Sequence, residues 1–100
     1  MHEIIYPGGY QEIANYKNGN LHGESKIKFK NGDSEESVYK DGLREGKNAY
    51  IYKFTTGQIL VCDYEDGMRH GQCIDTYPSG EKLLCVWKKG EPGECTGVTD

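Results

Sequence analysis

Four segments decide the fold: residues 9–19 (GYQEIANYKNG), 32–42 (GDSEESVYKDG), 57–67 (GQILVCDYEDG) and 80–90 (GEKLLCVWKKG). Their leading glycines, Gly9, Gly32, Gly57 and Gly80, are spaced by 23, 25 and 23 residues, and their closing glycines, Gly19, Gly42, Gly67 and Gly90, repeat the same intervals. Two series that share one two-residue insertion define an internal repeat, and the repeat governs every other reading. The seventh residue after each leading glycine is aromatic: Tyr16, Tyr39, Tyr64 and Trp87. The fifth is small: Ala14, Ser37, Cys62 and Cys85.

Each block alternates small or aromatic residues with polar ones and closes on Asn-Gly, Asp-Gly or Lys-Gly. This is a strand ended by a tight turn, in which glycine supplies the positive φ. No stretch between glycines carries apolar residues at a helical period. Linking segments place Ile27 with Phe29, Tyr50 with Tyr52, and Ile74 with Tyr77 between the blocks. The spacing predicts eight strands near residues 2–6, 10–16, 24–30, 33–39, 47–54, 58–64, 72–77 and 81–87, with 94–98 as a candidate ninth. They form one antiparallel meander, an all-β sheet about 35–40 Å long at ~4.8 Å per strand. The chain reads as a single domain over 1–100, with hairpins at 2–16, 24–39, 47–64 and 72–87 and a C-terminal cap at 88–100.

Composition agrees with a thin sheet. Only 35% of the 100 residues are hydrophobic, and eight residues are Tyr, which covers area while keeping its hydroxyl wet. The net charge is −4, and it arises between Asp33 and Asp66, where eight acids face four bases. Net acidity speaks against direct nucleic-acid binding and against adsorption to anionic membranes. No segment has the roughly 20 apolar residues of a membrane helix, and the opening lacks the pattern of a secretory signal. The expectation is a cytoplasmic protein whose four cysteines are free thiols.

The blocks resemble MORN repeats, whose pattern is close to YxGEWxxGxxHGxGxYxYxxG. The carriers are YKNGNLHGES (16–25), YKDGLREGKN (39–48), YEDGMRHGQC (64–73) and a degenerate WKKGEPGEC (87–95). The resemblance implies an elongated hairpin sheet and a binding role, in longer members a lipid or cytoskeletal scaffold. This chain departs from the pattern in three ways. Glu45 replaces the His of the second HG pair. Glu12 and Glu35 stand where later repeats have Leu60 and Leu83. All four cysteines occupy glycine positions of the pattern.

Cys62 and Cys73 flank one turn, and Cys85 and Cys95 flank the next, so either pair has the spacing to meet across strands as a disulfide or at a metal. Structural zinc favours CxxC knuckles, which are absent, and the expectation is small buried residues beneath an aromatic column, with no metal and no cofactor. His22 and His70 fall in turns, where their task is to bond the turn backbone. No nucleophile, base and orienting group stand out from the repeat, so no enzyme is expected. Lys26, Lys28 and Lys30 share one side of a strand, most simply a solvated face.

The functional expectation rests on two patches. Asp33, Glu35, Glu36, Asp63, Glu65 and Asp66 would form a negative field suited to a basic partner. Ile59, Val61, Leu84 and Val86 point opposite to Leu60, Cys62, Leu83, Cys85 and the aromatics, so the C-terminal half carries apolar groups on both faces. Something must cover one face: a twist of the sheet, a second copy of the chain or a different protein. The reading is a stand-alone, non-catalytic protein-binding module, an inhibitor or immunity-type protein of the antitoxin or anti-defence kind, against a basic surface such as that of a nuclease. The alternatives are a lipid or cytoskeletal scaffold and a homodimeric structural module. Tyr16, Tyr39, Tyr64 and Trp87, with Gly19, Gly42, Gly67 and Gly90, are structural in all of them.

Overall fold

Four two-residue turns set the geometry. Asn18-Gly19, Asp41-Gly42, Asp66-Gly67 and Lys89-Gly90 all have positive φ at both residues, between 48° and 87°. That is the type I′ conformation, whose twist matches that of the strands it joins. The computed structural model describes residues 2–5, as backbone, and residues 11–98. Tyr6, Gly9 and Tyr10, at the expected first turn, lie outside the described residues.

The described strands are β1 (His2–Ile5), β2 (Gln11–Lys17), β3 (Asn20–Lys28), β4 (Ser34–Lys40), β5 (Leu43–Arg44), β6 (Gly46–Lys53), β7 (Ile59–Glu65), β8 (Met68–Thr76), β9 (Lys82–Lys88) and β10 (Glu91–Val98). All pairings among the described strands are antiparallel and link successive strands, except that β4 also pairs β6 past the two-residue β5, which pairs only β4. The meander expected from the glycine spacing is therefore the fold, and its long axis measures 40 Å. Strands start sooner after the I′ turns than expected: β3 begins at Asn20 and β8 at Met68. The reason lies in Gly23, Gly46 and Gly71, at φ 94°, 119° and 116°, which let the chain resume pairing past a register shift. The candidate ninth strand exists as β10, and it begins at Glu91.

The second set of turns is equally regular. Phe29, Phe54 and Tyr77 donate their N–H to the carbonyls of Asp33, Gln58 and Glu81 at 2.8–2.9 Å, with Gly32, Gly57 and Gly80 closing each loop. The repeats are also stitched laterally. The N–H groups of Gly42, Gly67 and Gly90 donate to the carbonyls of Leu21, Arg44 and Arg69, one repeat earlier.

Among the described residues, most of the burial lies in a row of small residues. Ala14, Ser25, Ser37, Cys62 and Cys73 are all buried and follow one another across the strands in register, with Tyr50 between Ser37 and Cys62. Cys62 is the largest fully buried side chain among the described residues, so the sheet has a seam rather than a thick interior.

The cysteine expectation is corrected here. The register sets Cys62 opposite Cys73 and Cys85 opposite Cys95, and both pairs are disulfides, leaving no free thiol. In both repeats the register sets two different cysteine positions directly opposite each other on adjacent strands, which brings the sulfurs together.

Candidate functional site

The face that carries the small-residue seam also carries an aromatic–arginine ladder. Tyr39 faces Arg44, Tyr64 faces Arg69, and Trp87 faces Gly71, the neighbour of Arg69 on the same side. The Arg44 guanidinium lies 5.4, 5.0 and 5.6 Å from the ring centres of Tyr39, Tyr50 and Tyr64. It also pairs with Glu35 at 3.0 Å and donates to the Ser37 hydroxyl. Arg69 lies 4.8 Å over Trp87 and donates to the Tyr64 hydroxyl. Burial, with the negative Glu35 nearby, raises the Tyr50 phenol to about 12. Sequence reasoning missed both arginines, although each stands five residues after a repeat tyrosine. This face is knit together by contacts among its own side chains.

The other face is built differently. One register row runs Ile13, Lys26, Glu36, Ile51, Val61, Ile74, Leu84 and Thr96 from β2 to β10. Four consecutive aliphatic residues, Ile51 to Leu84, thus form a stripe. Ile59 and Val86, 36% and 49% exposed, flank it on either side, and Val38 is exposed nearer the N-terminal half. The structure therefore brings Ile59, Val61, Leu84 and Val86 onto one accessible face and adds Ile51 and Ile74. Those two were legible as the alternates of Tyr50, Tyr52, Cys73 and Asp75, but an isolated apolar residue between polar ones carries little signal.

Next to the stripe, Lys26, Lys28 and Lys53 surround Glu36 in a shallow hollow of about 330 Å³ floored by Ile13. Glu36 meets Lys53 at 3.2 Å and Lys26 at 3.7 Å, so one carboxylate is shared by two ammonium groups. Lys30, the third lysine of the expected run, follows Phe29 in the turn and is exposed.

The six expected carboxylates do not make one acidic surface. Asp33 is only 8% exposed and is spent inside a turn, accepting from the Tyr52 hydroxyl at 2.8 Å and the Thr55 N–H at 2.9 Å. These bonds, the Thr55 backbone bond foremost, hold its carboxyl below the ordinary 3.8. Asp63 clamps two strands, accepting from the N–H of Asn48 at 2.8 Å and of Gln72 at 3.1 Å. Glu35 belongs to Arg44 and Glu36 to the lysines. Glu65 and Asp66 remain exposed at a turn, Glu65 lying 3.7 Å from His70. Alternation divides neighbours such as Glu35 and Glu36 between opposite faces, which a count along the chain does not register.

His22 and His70 do bond turns. Their Nδ1 atoms accept from the N–H of Asp41 and Lys89, at the next I′ turn along the sheet. Glu45, standing for the missing His, accepts from the Asp66 N–H at 3.1 Å in the equivalent place. Among the described residues no group of three or more His, Cys, Asp or Glu is placed to hold a metal ion. No described helix is long and apolar enough to cross a membrane.

A single-layer antiparallel sheet of repeated hairpins, knit on one face and open on the other, defines a linear β-repeat protein. The family model for the MORN repeat matches two segments, residues 13–34 and 63–82 of the chain. No curated protein matches it significantly. MORN repeats mark the chain as a repeat module of the kind that binds proteins or membranes.

Proposed function

We propose that the chain is a non-catalytic protein-binding module that docks a partner on the aliphatic stripe of its open face. The observation that carries this reading is the stripe itself. Ile51, Val61, Ile74 and Leu84 are contiguous across four strands, and a single-layer sheet has no second layer to cover them. The adjoining lysines give this face a positive margin, so it complements an apolar surface bordered by carboxylates. The narrower reading, a stoichiometric inhibitor or immunity-type protein against a basic surface, draws on Glu65 and Asp66 alone among the expected acids. In a cytoplasmic setting the two disulfides would be redox-responsive features rather than permanent staples.

The test compares wild type with Val61→Glu, whose backbone stays paired while a charge enters the stripe. Affinity capture from the native host should retain a defined protein on wild type and lose it on a folded Val61→Glu. Equal capture by both, or unfolding of the variant, removes the interface reading. Lys26, Lys28 and Lys53 beside apolar side chains also support a second reading, contact with an anionic membrane. Co-sedimentation with phosphatidylserine vesicles at physiological salt, abolished by Lys26→Glu with Lys28→Glu, distinguishes it.

A further inference from the structure

The four cysteines occupy one register row on four adjacent strands. Cys62 pairs with Cys73, Cys73 with Cys85, and Cys85 with Cys95. Cys73 thus has a cysteine directly opposite it on both sides, only one of which it is bonded to. Accessibility falls along the row: Cys95 is exposed, Cys85 half-buried, and Cys73 and Cys62 are buried at 4% and 0%.

We infer that this row is a thiol–disulfide relay, through which a thiol in solution reaches the buried Cys62–Cys73 bridge by way of the exposed Cys85–Cys95 bridge. Exchange at sulfur needs the attacking thiolate and the leaving sulfur on opposite sides of the attacked atom. Flanking strands put Cys85 and Cys62 on opposite sides of Cys73, which is that arrangement. Within an antiparallel sheet, narrow and wide pairs alternate on the two sides of a residue. The Cα atoms of Cys62 and Cys73 are 4.1 Å apart and those of Cys85 and Cys95 are 4.0 Å apart, so both are narrow pairs. Cys73 and Cys85 then form a wide pair, about 5.5 Å, within the range that a disulfide spans.

The steps balance with an external dithiol as reductant. One of its thiolates attacks the Cys95 sulfur, forming a mixed disulfide and releasing the Cys85 thiolate. Cys85 attacks the Cys73 sulfur, forming Cys73–Cys85 and releasing the Cys62 thiolate. The second thiol of the reductant then displaces Cys95 and leaves as an intramolecular disulfide. Two electrons and two protons pass from the dithiol to the protein, which ends with one bridge, Cys73–Cys85, and thiols at Cys62 and Cys95. The closed loops differ by a single residue, so the exchange moves a cross-link from one hairpin to the next at nearly equal chain entropy.

The experiment is partial reduction of the native, oxidised protein with one equivalent of dithiothreitol, alkylation of free thiols, and disulfide mapping by mass spectrometry. The singly reduced species should carry Cys73–Cys85, with the label on Cys62 and Cys95. Cys85→Ser, which removes the middle step, should slow reduction of Cys62–Cys73 at least tenfold. Label on Cys85 and Cys95 with Cys62–Cys73 intact would overturn the relay. So would an unchanged rate in Cys85→Ser, or four free thiols in the protein purified under oxidising conditions.

Discussion

Arg44→Ala removes the centre of the ladder, and its cost can be worked from the contacts. Three rings lie within 5.0–5.6 Å of the guanidinium, and cation–π contacts at exposed sites contribute about 0.5–1 kcal/mol each. The Glu35 side chain is only 13% exposed, so losing its 3.0 Å partner leaves a largely desolvated carboxylate with one weak bond, from the Tyr50 hydroxyl at 3.4 Å. That adds roughly 1–2 kcal/mol, by the cost of an unsatisfied buried group. Allowing for contacts that overlap, the expected loss is about 3 kcal/mol, a large part of the roughly 5–15 that a domain has. Urea unfolding monitored by tyrosine and tryptophan fluorescence measures it. Arg44→Lys should recover only part of the loss, because an ammonium keeps the charge but not the planar fork. A loss below about 1 kcal/mol for Arg44→Ala would refute the assignment of Arg44 as the cross-repeat tie.

Three further outcomes follow from single contacts. His22→Ala should cost about 1 kcal/mol by deleting the acceptor of the Asp41 N–H, whereas His22→Glu should restore most of it, since Glu45 already does this work one repeat on; equal loss in both, by urea unfolding, would count against the turn-bonding role. Asp33 has a folded pKa below its unfolded value, so its stabilising contribution is present above about pH 4 and lost as pH falls through the lowered folded value; the stability gap to Asp33→Asn, measured against pH, should close over that window. Gly71→Ala should cost roughly 1–3 kcal/mol, because φ is 116° and a Cβ there would lie 2.9 Å from the Asp63 carboxylate that holds Gln72, and thermal unfolding should show it as a clear drop in Tm.

The sequence by itself determined the strands, their order and the turns that join them. A type I′ turn is settled by two residues, and Asn18-Gly19, Asp41-Gly42 and Asp66-Gly67 announce it locally. Alternation of Leu60, Cys62 and Tyr64 against Ile59 and Val61 also fixed which side chains share a face, since that depends on pleat alone. Tertiary structure decided what stands opposite what. The register shifts at Gly23, Gly46 and Gly71 set which residues of neighbouring strands meet. They therefore set whether Arg44 reaches three tyrosines, whether Asp63 finds two backbone N–H groups, and whether four cysteines line up in a row. Those are contacts between residues 5 to 20 positions apart, created by hydrogen-bond pairing across the sheet, and no local preference of the chain encodes them.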